Sequence, residues 1–245
     1  MTAPISLGWA LLFVALAVRA QVPDGRSLIE ASLQRHALPA HLYEEQSMIL
    51  TDRLGQHTVR TTRFYAQFDG QRWRKLLVIE SPAELKGSRH TLDLSATDKT
   101  AGREVGAPPV FGSDFSVADL AGEQTSDTRY EITGGTDLDR IPHHVVRATP
   151  ATGRSLNSVT ERHLYLRKDN LYISRVDYLD RDARVLKRLS RRDPRADDSG
   201  AWHANMMLME NLKERRRSLL KVERRVQSPD YIPDSIFAGL TDARP

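Results

Sequence analysis

The sequence predicts an α+β protein: one large curved antiparallel β-sheet with an N-terminal helix and short helices inserted mid-chain. Three observations carry that expectation. Only the stretch after residue 20 has strong helical periodicity, whereas runs of period two with turn signals between them fill both sides of a Gly/Pro-rich middle segment. Short segments with capping residues interrupt the strands near residue 113. A sheet of about ten strands curls or splits, and a curled sheet has a concave apolar face that helices can cover.

The chain has 245 residues, 40% of them hydrophobic, enough for a sizeable core in one domain spanning 21–245. Residues 6–20 form an apolar stretch ending Val-Arg-Ala, which reads as a signal peptide over 1–20 cut after Ala20. It is shorter than the roughly 20 residues of a spanning helix. Cysteine is absent, which excludes disulfides, thiolate metal sites, Cys nucleophiles and an acylated N-terminal Cys. The net charge of +4 is scattered along the strands, so it reads as solvated outer faces and does not point to nucleic acid.

In the first helix, Ser27-Leu-Ile-Glu30 has the form of a capping box, Leu28, Ile29, Leu33 and His36 fall at helical spacing, and Pro39 ends the pattern. From Tyr43 the period becomes two. A turn at Leu54-Gly55 and a hairpin at Asp69-Gly70 give a three-stranded meander. Ser81-Pro82 to Gly87 interrupts the sheet with a short helical turn before a brief strand, HTLDL. Residues 95–110 read as a mobile polar loop. Ser113 and Ser116 are candidate helix caps, and strands resume from RYEITGG through SLLKVERRV with turns at Asp180 to Ala183 and from Asp193-Pro194 to Gly200. The tail, with Ile236, Phe237 and Leu240, suits a short helix docked on the core.

No GxSxG, HExxH, GxGxxG or P-loop pattern is present. His143-His144 are strand neighbours on opposite faces, so no metal site is expected there. Asp137-x-Asp139 and Asp180-x-Asp182 lie in turn-like sequence, and Ser113-Asp114 suits helix capping better than catalysis. The apolar candidates are Met48, Leu50, Phe64, Trp73, Leu77 and Ile79 in the first meander, Phe111 and Phe115 in the middle, and Met207 and Met209 in the methionine cluster with Met206. Periodicity alone does not separate a filled interior from a hollow one.

Five segments in order resemble the outer-membrane lipoprotein-sorting family, the LolA-like proteins. They are Thr51-Asp-Arg-Leu-Gly55, the run from Leu76 through Ser81-Pro82 to Gly87, Phe111-Gly-Ser-Asp-Phe-Ser-Val-Ala-Asp-Leu120, Val176-Asp-Tyr-Leu-Asp-Arg-Asp182 and Ile232-Pro-Asp-Ser-Ile-Phe237. The resemblance implies an unclosed β-barrel with a helical lid over an apolar cavity that holds acyl chains, in the periplasm. It implies no catalytic residue, cofactor or metal. The ten apolar candidates above become the expected cavity wall. The expected function is a monomeric periplasmic carrier of a lipid or acylated protein, serving outer-membrane sorting or an RND/MMPL-type exporter. The alternative is a protein-binding or envelope-signalling module of the same fold, of the RseB type. Between the Ser81-Pro82 and Phe111 segments the family carries two further strands, so a lost hairpin and a smaller or open cavity are expected here.

Overall fold

The computed structural model describes residues 24–92, 109–151 and 159–238. The expected signal peptide with its cut after Ala20, nearly all of the polar middle loop and the interval of the expected lost hairpin lie outside the described residues. Helix α1 (Gly25–Arg35) is followed by strands β1 (His41–Thr51), β2 (His57–Phe68), β3 (Trp73–Ser81) and the short β4 (Arg89–Thr91). A small helix, α2 (Val117–Ala121), precedes β5 (Thr128–Leu138), β6 (Ile141–Pro150), β7 (Glu161–Arg167) and β8 (Ile173–Leu179). Strands β9 (Val185–Ala196), β10 (Trp202–Asn211) and β11 (Arg216–Val226) complete the sheet.

All eleven strands belong to one sheet in the order β4-β3-β2-β1-β11-β10-β9-β8-β7-β6-β5. Two meanders, one from each side of the middle segment, are joined where β1 pairs antiparallel with β11. Strands β4 and β5 are the two edges and do not pair with each other, so the barrel is unclosed. This is the α+β, curved antiparallel sheet that the sequence predicts.

Alternation sorts the side chains. Leu42, Met48, Phe64, Leu77, Leu166, Leu189, Met209 and Leu220 are buried in the main core on the concave side. Tyr43, Tyr65, Leu76 and Val78 point the other way and form a second cluster, covered by Ile232 and Phe237 of the C-terminal tail. The tail therefore docks as expected, though as two 3-10 turns (Pro229–Tyr231 and Asp234–Phe237) in place of one helix. The Asp69-Gly70 hairpin forms as expected: Asp69 Oδ1 accepts from the Gln71 and Arg72 N–H groups, and Gly70 takes the positive φ (93°) that an L side chain resists.

Three boundaries differ from expectation, each for a local reason. Helix α1 starts at Gly25, and its cap is Asp24, whose Oδ1 accepts the Ser27 N–H at 2.8 Å; Ser27 is a first-turn residue and not the cap. Gly25 is needed there, because a Cβ would lie 2.8 Å from the Tyr130 and Glu131 backbone of β5. Strand β9 runs through Pro194 to Ala196, so the turn starts at Asp197, whose carboxylate accepts the Ser199 and Ala201 N–H groups. The strand tolerates Pro194 beside an irregular step at Asp193, where φ is 45°. Strand β5 extends past Gly134-Gly135 because a bulge at Thr133, between Ile132 and Gly134, shifts the register so that both glycines pair with β6.

Met48 is fully buried on β1 opposite Leu220 of β11. Met48→Ala is expected to lower the unfolding free energy by about 2–5 kcal/mol, seen as a lower urea midpoint with unchanged slope. Leu54→Ala, at a turn residue that is 75% exposed, should stay within about 0.5 kcal/mol.

Candidate functional site

The concave face is filled at one end and hollow at the other. At the filled end the segment 110–116 lies against β10 and β11, held by Asp114. Its N–H donates to Ser218 Oγ (2.8 Å), and its carboxylate accepts from Ser218 Oγ, Asn211 Nδ2 and Arg216 Nη2 at 2.9–3.1 Å. Phe115 and Val110 are thereby seated at 0% exposure, alongside Met48 and Met209. Ser113 does not cap a helix: its hydroxyl donates to Val110 O and accepts from Phe115 N–H. Ser116 does cap α2, in a reciprocal box with Asp119.

At the other end a cavity of about 450 Å³ opens between the sheet and the two helices. Its apolar side is built by Phe64, Trp73 and Leu77 of β2 and β3, Leu92 just after β4, and Leu120 of α2. Leu33 of α1 and the following Leu38 roof it. Helix α2 is fixed in place by the Tyr178 hydroxyl, which donates to Asp119, and by Lys75, whose ammonium donates to Ala121 O at 2.8 Å. Burial and the Asp119 carboxylate push the Tyr178 hydroxyl far above its usual titration range, so it remains a donor.

The remaining wall is polar. Glu44 accepts from Arg225 Nε at 2.6 Å and from Gln46 Nε2 at 2.6 Å, while Arg225 also donates to Asn205 Oδ1 and Ala204 O. His36, just past α1, accepts the Trp202 N–H on Nδ1 (3.0 Å), which leaves the proton on Nε2 to donate to Asn170 O at 2.9 Å. Its ring meets Tyr172 edge-on at 5.3 Å. Burial holds this imidazole below its ordinary 6.5, with the nearby Arg35 and His203 acting the same way and the Asn170 carbonyl opposing them. Arg191 of β9 and Met207 of β10 are cross-strand neighbours, side by side on the cavity floor.

Of the ten apolar residues singled out in the sequence, the structure brings four to the cavity wall: Phe64, Trp73, Leu77 and Met207. The other six do not line it. Met48, Phe115 and Met209 are fully buried in the filled end, Leu50 and Phe111 pack partly buried against the same core, and Ile79 is 1% exposed on β3. The segment pinned by Asp114 makes the difference for Met48, Leu50 and Met209, because its own Phe111 and Phe115 join the same core. Sequence reasoning missed Leu38, Leu92, Leu120, Tyr172 and Trp202, which converge from five places in the chain. Leu33 and His36 were visible as one helical stripe.

The polar motifs take structural roles. His143 is buried, bonded to Ile141 O and Ser174 Oγ, while His144 lies partly exposed on the neighbouring position. Asp180 Oδ1 accepts the Asp182 and Arg184 N–H groups in the β8–β9 turn, as expected. Asp139 and Arg140 form the β5–β6 turn with φ of 51° and 66°. Among the described residues no group of three or more His, Asp or Glu is placed to hold a metal ion.

Two outcomes follow from the polar wall. Glu44→Ala leaves Arg225 without its carboxylate and should cost about 3–5 kcal/mol, much of it regained in the double variant Glu44→Leu, Arg225→Met, as read by urea unfolding. For His36 the folded state binds its proton less readily than the unfolded chain does, so its contribution is full above about pH 6.5 and is lost as pH falls below that. Burial lowers His90 and His144 in the same direction. Thermal melts between pH 7.5 and 5 should therefore show falling stability, with a shallower, not flat, profile in His36→Gln.

A family model described as "Uncharacterized protein" matches residues 73–239, more than half of the chain. No curated protein matches the sequence. Among solved structures, an outer membrane lipoprotein-sorting protein domain from Vibrio parahaemolyticus superposes with a TM-score of 0.70 at 17% identity, over 82% of this chain and 91% of that one. A DUF1329 family protein from Desulfovibrio piger gives 0.67 at 20% identity, over 86% and 96%. A LolA superfamily protein from Nitrosomonas europaea gives 0.63 at 14% identity, over 88% and 97%. The chain belongs to the family whose model spans 73–239, and its fold is the LolA-like one of the outer-membrane lipoprotein-sorting proteins.

Proposed function

We propose that this protein is a carrier without catalytic activity, which holds the acyl chains of a lipid or acylated protein in the cavity beneath α1 and α2. The observation that carries the reading is the half-hollow concave face, whose 450 Å³ falls in the range of small-molecule sites, about 300–1,000 Å³. Aliphatic and aromatic side chains from both helices and from strands on either side of the β1–β11 seam meet there, and the acidic groups of the wall are already engaged by Arg225, Arg162, Ser116 and Tyr178. Such engaged groups orient a ligand more readily than they move protons. Each buried methylene of a ligand gains ~0.8 kcal/mol, so ~8 of them supply ~6 kcal/mol without directional contacts.

In this reading residues 1–20 are a signal peptide removed after Ala20, residues 21–245 work in the periplasm, and the partner that supplies or receives cargo is an inner-membrane exporter of the RND/MMPL type or the lipoprotein-sorting route. The fold shared with a lipoprotein-sorting domain and a LolA superfamily protein supports it.

The test is direct binding. Protein purified without detergent should carry extractable acyl lipid, and a fluorescent long-chain fatty acid should bind to the delipidated form. Met207→Trp, which fills the floor of the cavity, should weaken that binding about tenfold while leaving the melting temperature within a few degrees. Absence of both co-purifying lipid and fatty-acid binding would overturn the carrier reading, and a stable lipid-free protein complex in its place would favour the signalling alternative.

A further inference from the structure

We propose that the cargo is an anionic amphiphile, whose carboxylate or phosphate headgroup is held by Arg191 while its tail runs into the apolar half of the cavity. The inference rests on the carrier reading above and names the class of ligand. It follows from the charges that line the cavity. Glu44 and Arg225 neutralise each other at 2.6 Å. Glu123 is paired with Arg162, and His203 with Asp197 at 2.9 Å. Asp119 accepts from the Ser116 N–H and hydroxyl and from Tyr178, so its lone pairs are used within the protein. Lys75 is bound to the Ala121 carbonyl at the rim of α2.

Arg191 stands apart. It lines the cavity from β9, and among the described residues it makes one side-chain hydrogen bond, Nη1 to Ile173 O at 3.1 Å, with no carboxylate in contact. A guanidinium has five N–H donors arranged to grip two oxygens at once, so most of this fork is unspent. Met207 is its neighbour on β10, and Tyr172 and Ile173 also line the cavity. A partly desolvated cation without a counter-ion is costly, and a ligand oxyanion arriving there removes that cost while forming a bidentate contact. The two ends of the site also match an amphiphile in length. Five strand spacings separate β9 from β3, about 24 Å along the arc of the sheet, and Trp73 and Leu77 wait at the far end.

The experiment titrates the delipidated full chain with three ligands of one chain length: a saturated fatty acid, its methyl ester and the corresponding monoacylglycerol phosphate. The fatty acid, the phosphate or both should bind about tenfold or more tightly than the ester, and whichever is tighter identifies the headgroup. Arg191→Gln should bring the acids down to about the affinity that the ester shows for the same variant, and Arg191→Lys should keep part of the preference. Equal binding of ester and acids to the unaltered protein overturns the headgroup assignment and leaves the carrier reading standing. A preference that survives in a folded Arg191→Gln also overturns it. Binding of none of the three sinks both. The comparison of ligands on the unaltered chain needs no variant, so a misfolded Arg191→Gln does not blunt the test.

Discussion

Nine antiparallel pairs between β1 and β11, from Tyr43 opposite Val226 to Thr51 opposite Arg217, hold two otherwise independent meanders in one sheet. Without them β1–β4 would be a short sheet with a wet concave face, and β5–β11 another. The pairing also sets which residues look inward, because a slip of one position turns every side chain to the opposite face. The register shift between Glu45 and Gln46 belongs to that arrangement: Glu44, opposite Arg225, and Gln46, opposite Val222, both reach the cavity. The ion pair and the apolar floor thus derive from the same seam.

What the curved sheet encloses is decided by two small devices laid on it. Asp114 binds three side chains of β10 and β11 and presses the aromatic segment 110–116 into one end, giving a packed core there. Helices α1 and α2 lie over the other end, where Leu33 and Leu120 line the cavity without filling it. One concave surface therefore carries both a stabilising interior and a binding space. Stability and capacity compete for the same residues, and the boundary between them falls between Met48 and Leu77.

The strands were legible because alternation is a local signal: Met48 and Leu50, or Leu77 and Ile79, announce one face from a few residues of sequence. The helix start was not, since Asp24 and Ser27 both have the right chemistry and only the close approach of Gly25 to β5 decides between them. Gly134 and Pro194 looked like terminators, yet a bulge and an irregular step let strands continue through them. The cavity was legible only in part. Phe64, Trp73 and Leu77 share a sheet face with Ile79, and nothing in the local pattern says that the first three meet space and the last meets packing. Leu92, Tyr172 and Trp202 come together through long-range topology, and Arg191 reads in sequence as one more basic residue on a solvated strand.

The order of the strands has a bearing on when the molecule becomes functional. The first half of the chain cannot complete its sheet until Arg217 to Val226, near the other end, are available to pair with β1, and α1 must wait for β5 before Gly25 has a surface to rest on. Contacts so distant in sequence are slow to form. A chain still emerging from a ribosome therefore has no enclosed interior. The cavity is thereby postponed to the moment when β11 has been made and has paired with β1.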